Sequence, residues 1–276
     1  MTSCETLSLD AARRIAAAAL HSSGAGSVQS RATAEALVSA EADGQVGHGL
    51  SRVPSYAGQL LSGKVDGQAE PALEPVRPAL ARVDARSGFA YPAIDLALDW
   101  LVAQVPAQGL AAAAIVHSHH FGQAGRPVER LAQAGFAALA LTNAPQAMAF
   151  WGGRRPRLGT NPIAFACPWP DAPPLVIDLA TSVVGRGKIK AAQQAGQSIP
   201  AGWALDAAGR PTTEPAAGLA GSMQPIGGAK GAALALMVEV LAAGLTGSAW
   251  GFEASSLFEA DGEPPDLGHL ILAFDT

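Results

Sequence analysis

The hydrophobic positions of residues 1–70 recur every three to four residues, which is the spacing of amphipathic helices. Ser8 suits a helix N-cap, Pro54 suits a first helical turn, and Gly63 suits a helix end. Together these signals predict three helices, over about 8–21, 29–43 and 54–61. Residues 1–70 are therefore predicted to form a helical N-terminal lobe.

The pattern changes after Pro78, where short apolar segments typical of β-strands are mixed with helical segments. The predicted strands lie over about 80–85, 110–116, 136–141, 163–167, 175–179 and 270–274. The predicted helices lie over about 91–105, 128–134, 186–195 and 230–245. Because the order is not a strict βαβ alternation, residues 71–276 are predicted to form an α/β or α+β sheet domain whose strand directions stay open.

Composition and charge restrict the classes of function. The 276 residues are 49% hydrophobic, enough for a folded core, and the formal net charge of -5 argues against nucleic-acid binding. The first residues lack a basic and apolar leader, and no apolar run reaches about 18 residues, so neither export nor a membrane span is predicted. Cys4 and Cys167 have no disulfide or metal-type spacing, which favours the reducing cytoplasm.

One glycine-rich segment is a candidate phosphate site. The chain has no GxGxxG after its early strands, and GRGKIK at 185–190 lacks two elements of a P-loop, so neither nucleotide fold is predicted. Gly227, Gly228 and Lys230 lie at the start of a strong predicted helix, whose free N–H groups can hold a phosphate. The alternative, a glycine turn with a solvated lysine, stays open.

The segment GHGLSR contains a candidate site for an oxo acid. His48 lies between two glycines and can donate or accept a proton near neutral pH. Arg52 follows four residues later and can bind a carboxylate through two hydrogen bonds. The alternative is a loop histidine beside a surface arginine.

A histidine cluster, His117, His119 and His120, lies at the end of an apolar strand. Strand alternation places His117 and His119 on one face and His120 on the other, which makes a three-histidine zinc site awkward. Contacts in a cleft with Asn143, at the end of the next strand, fit better than a metal. Capping of the sheet edge by the histidines is the competing interpretation.

Asp178 interrupts the apolar segment LVIDLATS, which is predicted to be a strand. A buried carboxylate needs a partner, and an imidazolium is a suitable one. The alternative is that Asp178 caps its own following turn through Thr181 or Ser182.

Seven motifs occur along the chain, from about residue 8 to its last residue, in a specific combination and order. They are GHGLSR, SHHFG, TNAP, WGGRRPRLGTNPIAFACP, VIDLATS, IPAGWALDAAGRPTT and GGAKGAALALMVE. In this order they resemble the malate/L-lactate dehydrogenase family of the non-Rossmann type. That family also includes sulfolactate, ureidoglycolate and diketogulonate oxidoreductases and the cyclic imino acid reductases.

The resemblance implies an NAD(P)-dependent oxidoreductase with a mixed-sheet fold that is active as a homodimer. The implied substrate is a small anion. The implied cofactor is NADPH or NADH, and no metal is expected. It implies that His48 donates the proton and that Asp178 helps to orient it. Implied substrate contacts are Arg52, which would hold a carboxylate, His120, Asn143 and Thr160. Implied cofactor contacts are Asp178, Ala180, Thr181, Ser182 and Lys230.

Three departures from the family pattern stand out. The family usually has Ser before the histidine where this chain has Gly47, and often His before the lysine where this chain has Ala229. In the family the chain also continues beyond the strand matched by HLILAFDT, with helices that fold back onto the N-terminal lobe. The resemblance therefore predicts that this C-terminal helical tail is missing after Thr276.

Two substrate classes fit the implied site, because both need a carboxylate clamp and a proton donor. The first hypothesis is hydride transfer between nicotinamide and a 2-oxo acid or 2-hydroxy acid of the malate, lactate or sulfolactate type. The alternative is a reductase of cyclic imino acids such as Δ1-pyrroline-2-carboxylate or Δ1-piperideine-2-carboxylate. A third hypothesis is a truncated cofactor-binding protein without catalytic activity.

Overall fold

The computed structural model describes residues 6–275, so Cys4 and Thr276 lie outside the described residues. Three helices open the described chain: α1 (Leu9–Ser22), α2 (Ser27–Ala42) and α3 (Val53–Ser62). The Ser8 hydroxyl accepts a hydrogen bond from the N–H of Ala11, and Gly63 ends α3 in the left-handed conformation. The three predicted helices are confirmed, with ends shifted by one or two residues.

Strands and helices are mixed in the rest of the chain. The strands are β1 (Ala72–Arg77), β2 (Leu80–Asp84), β3 (Leu110–Ser118), β4 (Ala137–Thr142), β5 (Met148–Ala149), β6 (Pro156–Leu158), β7 (Ile163–Trp169), β8 (Ala172–Leu179), β9 (Ala204–Leu205), β10 (Pro211–Thr212), β11 (Ser222–Met223) and β12 (Leu267–Phe274). The helices are α4 (Ala90–Gln108), α5 (Gly125–Gln133), α6 (Arg186–Gln194), α7 (Pro215–Ala220) and α8 (Ala229–Glu239).

A seven-stranded mixed sheet lies at the centre, in the order β1-β2-β3-β12-β4-β7-β8. Strands β2 and β3 are parallel, and the other neighbours are antiparallel. Strand β12 is thus inserted between β3 and β4, where Ile271 and Ala273 are fully buried. The α/β class is confirmed, and the parallel pair β2 and β3 within otherwise antiparallel neighbours makes the sheet mixed.

The main hydrophobic cluster joins the N-terminal helices to this sheet. It includes Leu20 of α1, Leu37 of α2, Tyr56 of α3, Leu101 of α4 and Ile115 of β3, all fully buried. Because one cluster extends across residue 70, the two parts pack as neighbours. The division into residues 1–70 and 71–276 stays a prediction.

A second, five-stranded sheet has the order β10-β9-β11-β5-β6 and was not predicted. Its strands contain two or three residues each, too few to produce a visible alternation of apolar and polar positions. Strand β1 was also not predicted, because most of its residues are exposed. The predicted helix over 230–245 is α-helical only to Glu239 and continues as a π-helical turn, Val240–Gly244.

Strand β8 is an edge strand, and this changes the interpretation of LVIDLATS. Leu175, Val176 and Ile177 are exposed, and so is Asp178, although their apolar sequence suggests a buried strand. Strand β8 pairs with a neighbouring strand, β7, along one edge only. Asp178 is therefore not enclosed by the sheet as expected, and only its carboxyl group is partly covered, where it accepts from the N–H of Gly125.

The sequence predicts no membrane-spanning segment, and the helices of the structure can be compared with that prediction. Among residues 6–275, none of the helices combines the length and apolarity that crossing a bilayer requires.

Candidate active site

Two short 3₁₀ turns between α2 and α3, Val46–His48 and Leu50–Arg52, position the GHGLSR residues. Gly49 separates the turns, and a Cβ atom at this position would lie 2.2 Å from Oε2 of Glu41. The same Oε2 accepts a hydrogen bond of 2.8 Å from the N–H of Leu50. The glycine therefore lets the loop approach Glu41 closely, and that contact fixes the path between His48 and Arg52.

Arg52 is a buried cation, only 9% exposed. Its Nε donates a hydrogen bond of 2.7 Å to the carbonyl of Gly47, directly before His48. Its Nη1 is buried and has no hydrogen-bond partner among the described residues. A buried guanidinium with an unused donor is costly unless an anion binds it, so Arg52 suits a carboxylate ligand.

The ring of His48 stacks on that of His120, with centroids 5.1 Å apart and planes 24° from parallel. Nδ1 of His120 lies 2.7 Å from the hydroxyl of Tyr56, which also lies 3.3 Å from the hydroxyl of Tyr91. Nδ1 of His48 is buried without a partner in the described part of the chain. The structure thus brings His48, Arg52 and His120 together, as the resemblance implies.

Burial and positive charge keep this group of histidines neutral. Burial, and secondly the charge of Arg52, lower the pKa of His48 to about 4. The same two causes hold the pKa of His120 well below its ordinary value. Arg52 is consequently the charged group of this cluster at neutral pH.

The histidines around β3 do not follow the predicted alternation. His117 has a positive φ of 48° and is exposed, and its Nδ1 lies 3.0 Å from Oδ1 of Asp84. His119 is buried edge-on against the rings of Tyr56 and Phe89, and burial lowers its pKa to about 3. The kink at His117 ends the period of two, so the prediction that His117 and His119 share a face is wrong.

Asn143 lies in a buried network that the sequence did not reveal. Its Nδ2 donates to Oε1 of Glu239 at 3.3 Å and to the carbonyl of Ala249 at 2.9 Å, and its Oδ1 accepts from the N–H of Gly268 at 3.0 Å. Glu239 also accepts 2.6 Å hydrogen bonds from Nδ2 of Asn161 and the N–H of Gly251. The Asn143 amide is thus engaged within the protein, and its implied substrate contact stays a prediction.

Thr160 and Thr181 meet through the backbone. The carbonyl of Thr160 accepts hydrogen bonds of 2.9 Å from both the N–H and the hydroxyl of Thr181. The Ser182 hydroxyl donates to the carbonyl of Val184 at 2.7 Å, and Ala180 is half-buried beside them. These contacts hold the implied cofactor segment 180–182 against the implied substrate residue Thr160.

Asp178 makes neither of the contacts considered from the sequence. Its Oδ2 accepts a hydrogen bond of 2.8 Å from the N–H of Gly125, and the described residues show no hydrogen bond between Asp178 and His48. The pKa of Asp178 is raised overall, because its carboxyl group is partly buried. Hydrogen bonds from Gly125, Gln45 and Ala124 act in the opposite direction and lower that pKa less. The Gln45 side chain bonds Asp178, and the Gln45 carbonyl accepts from the N–H of His48, so Asp178 is linked to His48 indirectly through Gln45.

Helix α8 begins in a glycine turn that fits a phosphate group. Gly227 and Gly228 have positive φ values of 57° and 65°, and a Cβ atom at Gly231 would lie 1.7 Å from the carbonyl oxygen of Ile226. The turn is therefore tight, and the exposed Lys230 lies in the first turn of the helix. First-turn N–H groups with a lysine beside them can hold a dinucleotide phosphate.

Three residues of the site region were missed from the sequence. Tyr56 lies one helical turn after Arg52, a spacing that places both on the same face. Glu239 is the one acidic residue of an otherwise apolar helical segment, which signals a buried charge with partners. Phe258, whose ring centroid lies 4.7 Å from Cζ of Arg52, belongs to an irregular segment and gives no such signal.

Comparisons with known proteins identify the family of the chain. Residues 7–276 match the family described as malate/L-lactate dehydrogenase. The chain is 56% identical over 269 residues to a (2R)-3-sulfolactate dehydrogenase (NADP(+)) from Chromohalobacter salexigens, covering 98% of this chain and 80% of the relative. It is 42% identical over 269 residues to a Δ1-pyrroline-2-carboxylate/Δ1-piperideine-2-carboxylate reductase from Pseudomonas aeruginosa, with the same coverage of 98% and 80%.

A solved structure agrees as well. The crystal structure of a Δ1-piperideine-2-carboxylate reductase from Pseudomonas syringae superposes with a TM-score of 0.94 at 39% identity, covering 99% of this chain and 82% of the other. The fold, the motif order and the sequence matches agree, and they confirm the family that the motifs resemble. The chain belongs to the malate/L-lactate dehydrogenase family of NAD(P)-dependent oxidoreductases.

Proposed function

We propose that the chain catalyses the reversible, NADP(H)-dependent reduction of a 2-oxo acid to a 2-hydroxy acid. The observation that carries this proposal is the buried Arg52, with a free Nη1, joined through Gly47 to the neutral His48. Such a pair binds a carboxylate and handles a proton at the adjacent carbon. The 56% identity to a (2R)-3-sulfolactate dehydrogenase (NADP(+)) supports both the substrate class and the cofactor.

The charge of Arg52 couples substrate binding to the proton on His48. In the free protein burial and Arg52 hold the pKa of His48 at about 4. A substrate carboxylate on Arg52 offsets the second of these causes, so it shifts the pKa of His48 upwards and favours the protonated imidazole. His48 then gives this proton to the substrate oxygen during reduction and, as a neutral imidazole, accepts it during oxidation. The nicotinamide, when bound, supplies or accepts the hydride.

The remaining implied residues take supporting roles in this proposal. His120 and Thr160 line the substrate side, and Asn143 holds the wall of the pocket through its amide network. Asp178 keeps Gln45 and the His48 turn in place and contacts the cofactor. The other cofactor contacts come from Ala180, Thr181, Ser182 and Lys230.

We propose further that the chain acts as a homodimer in the cytoplasm. Apolar side chains on the surface support association: Leu175, Val176 and Ile177 of β8, with Leu234 and Met237 of α8, are exposed. Light scattering on the purified chain measures its oligomeric state, and a monomer at micromolar concentration would contradict this part. The absence of disulfide-type cysteine spacing supports the cytoplasm, which cell fractionation tests.

Reduction of a cyclic imino acid is the second candidate, favoured by the TM-score of 0.94 to a Δ1-piperideine-2-carboxylate reductase. It uses the same two groups, with the proton going to a ring nitrogen in place of an oxygen. The deciding experiment follows NADPH and NADH oxidation with sulfopyruvate, oxaloacetate, pyruvate and the two cyclic imines. A higher kcat/KM for the cyclic imines than for every 2-oxo acid would overturn the first proposal.

A further inference from the structure

The ring of Phe258 is shared by two cations. Cζ of Arg52 lies 4.7 Å and Nζ of Lys190 lies 4.8 Å from the ring centroid. Both distances are within the range of cation–π attraction. Phe258 therefore contacts both Lys190, from α6, and Arg52, although the two cations are far apart in the sequence.

A buried lysine fixes the segment that carries this ring, which we term the Phe258 loop (residues 255–263). Nζ of Lys64 donates to the carbonyls of Ser256, Glu259 and Asp261 at 2.6, 3.1 and 3.2 Å. Nε2 of Gln59 donates to the carbonyl of Glu259 at 3.0 Å. These bonds tie the loop to the end of α3, so the ring stays over Arg52 without a ligand.

Within the described part of the chain, neither cation on this ring has an acidic partner. No ion pair of Arg52 or Lys190 occurs within residues 6–275, whereas Arg13, Arg126, Arg130 and Arg210 each pair with a carboxylate. Two like charges at one ring repel each other, and a ligand with two negative groups would relieve that repulsion. Arg52 would hold one group, and the ammonium of the exposed Lys190 would bind the other.

On the basis of the proposed function, we infer that Lys190, held by Phe258, binds a second acidic group of the substrate. The substrate class is then a short 2-oxo acid with a carboxylate or sulfonate at its far end. Lys190 and Phe258 thus determine specificity, because a cyclic imino acid or pyruvate has a single carboxylate for Arg52 and leaves Lys190 without an anion.

The test compares Lys190→Gln with a matched control, Lys188→Gln, which removes an exposed charge from the same helix. We expect Lys190→Gln to lower kcat/KM for sulfopyruvate and oxaloacetate by about tenfold or more, because a hydrogen bond to a charged group is lost. Turnover of pyruvate should change less than about twofold, and Lys188→Gln should leave all three substrates unchanged. Phe258→Leu should shift the preference in the same direction by releasing Lys190. An equal loss for pyruvate and the diacids, or no loss, would overturn the inference.

A binding measurement separates this inference from the proposed function. Thermal shifts of the NADPH complex are measured with sulfoacetate and with acetate, neither of which can be reduced. Sulfoacetate should stabilise the wild-type protein and Lys188→Gln more than acetate does, and Lys190→Gln should lose that difference. If the cyclic imines prove to be the best substrates, the proposed function fails, while equal shifts from the two acids would refute the subsite itself.

Discussion

The hydroxyl oxygen of Tyr56 lies 2.7 Å from Nδ1 of His120, and the two groups share a partly buried hydrogen bond. This bond leaves Nε2 as the nitrogen of His120 available to a ligand. It also fixes the imidazole ring on which His48 stacks. An aromatic residue of α3 thereby sets the orientation of both histidines of the candidate site.

Tyr56→Phe should keep the packing against Phe89 and remove this hydrogen bond. We expect a loss of about 0.5–1.5 kcal/mol in the free energy of unfolding and a fall of roughly tenfold in kcat, because His120 loses its fixed orientation. Urea unfolding and steady-state kinetics measure the two effects. Tyr91→Phe, which removes only the 3.3 Å contact, is the control and should affect kcat less.

His48→Gln should lower kcat by about 10²- to 10⁴-fold, because positioned proton transfer is lost. The Kd for NADPH should stay within about twofold, since His48 is proposed to act on the substrate. Steady-state kinetics and a fluorescence titration test the two parts. His117→Gln alters an exposed histidine and should leave both quantities unchanged. Equal losses in cofactor affinity and kcat would exclude the proton-donor role.

Lys230→Ala should weaken NADPH binding, and the loss should shrink as the salt concentration rises. The proposed contact joins the charged ammonium of Lys230 to a phosphate of NADPH at the start of α8. Salt weakens such a contact because it screens exposed charges. We expect a Kd increase of about three- to tenfold at low ionic strength, measured by NADPH fluorescence at 20 and 500 mM salt. Arg77→Ala, on the outer strand β1, controls for net charge. An unchanged Kd at both salt concentrations would assign Lys230 to the solvated surface.

Glu239→Gln should destabilise the fold by roughly 1.5–3 kcal/mol. The carboxylate accepts hydrogen bonds from three N–H groups, whereas the NH₂ group of a glutamine would face one or more of these donors and leave them without an acceptor. The affected groups are Asn143, Asn161 and Gly251. Thermal and urea unfolding measure the loss. Glu253→Gln, an exposed acid of the following segment, is the comparison and should cost less than about 0.5 kcal/mol.

Acid should destabilise the protein before most carboxylates titrate. Burial lowers the pKa of His48 to about 4 and those of His119 and His269 to about 3, from an ordinary 6.5. As pH falls from 6.5 towards 4, only the unfolded chain binds these protons, so stability falls. Each histidine contributes up to about 1.4 kcal/mol per pH unit. Urea midpoints between pH 7.5 and 5 test this, and His119→Phe should flatten the slope; a flat wild-type profile would contradict it.

Local sequence signals predicted much of the fold. Ser8, Pro54 and Gly63 act on the few residues next to them, so the helices that they delimit lie within a few residues of their predicted bounds. Long-range pairing was not predictable. Whether LVIDLATS is central or at an edge depends on which strands lie beside it, and the place of β12 between β3 and β4 depends on chain segments more than a hundred residues away.

In the candidate site too, contacts between residues close in the sequence were predictable, and contacts between distant segments were not. His48 and Arg52 lie in one short segment, so their proximity follows from local spacing. The position of Phe258 over Arg52 depends on Lys64 binding a distant loop, and neither residue has a local feature that reports it. The kink at His117 likewise accompanies a contact with the distant Asp84, and no glycine or proline marks it in the sequence.

The exposed edge strand β8 also affects solubility. Its outer side offers backbone donors and acceptors next to apolar side chains, a combination that promotes sheet-to-sheet aggregation. Pro173 and Pro174 lie at its start and have no N–H to donate, so a foreign strand cannot extend the ladder there. The prolines thus act as gatekeepers against amyloid-like growth, and replacing both with threonine should increase thioflavin-positive aggregation on mild heating.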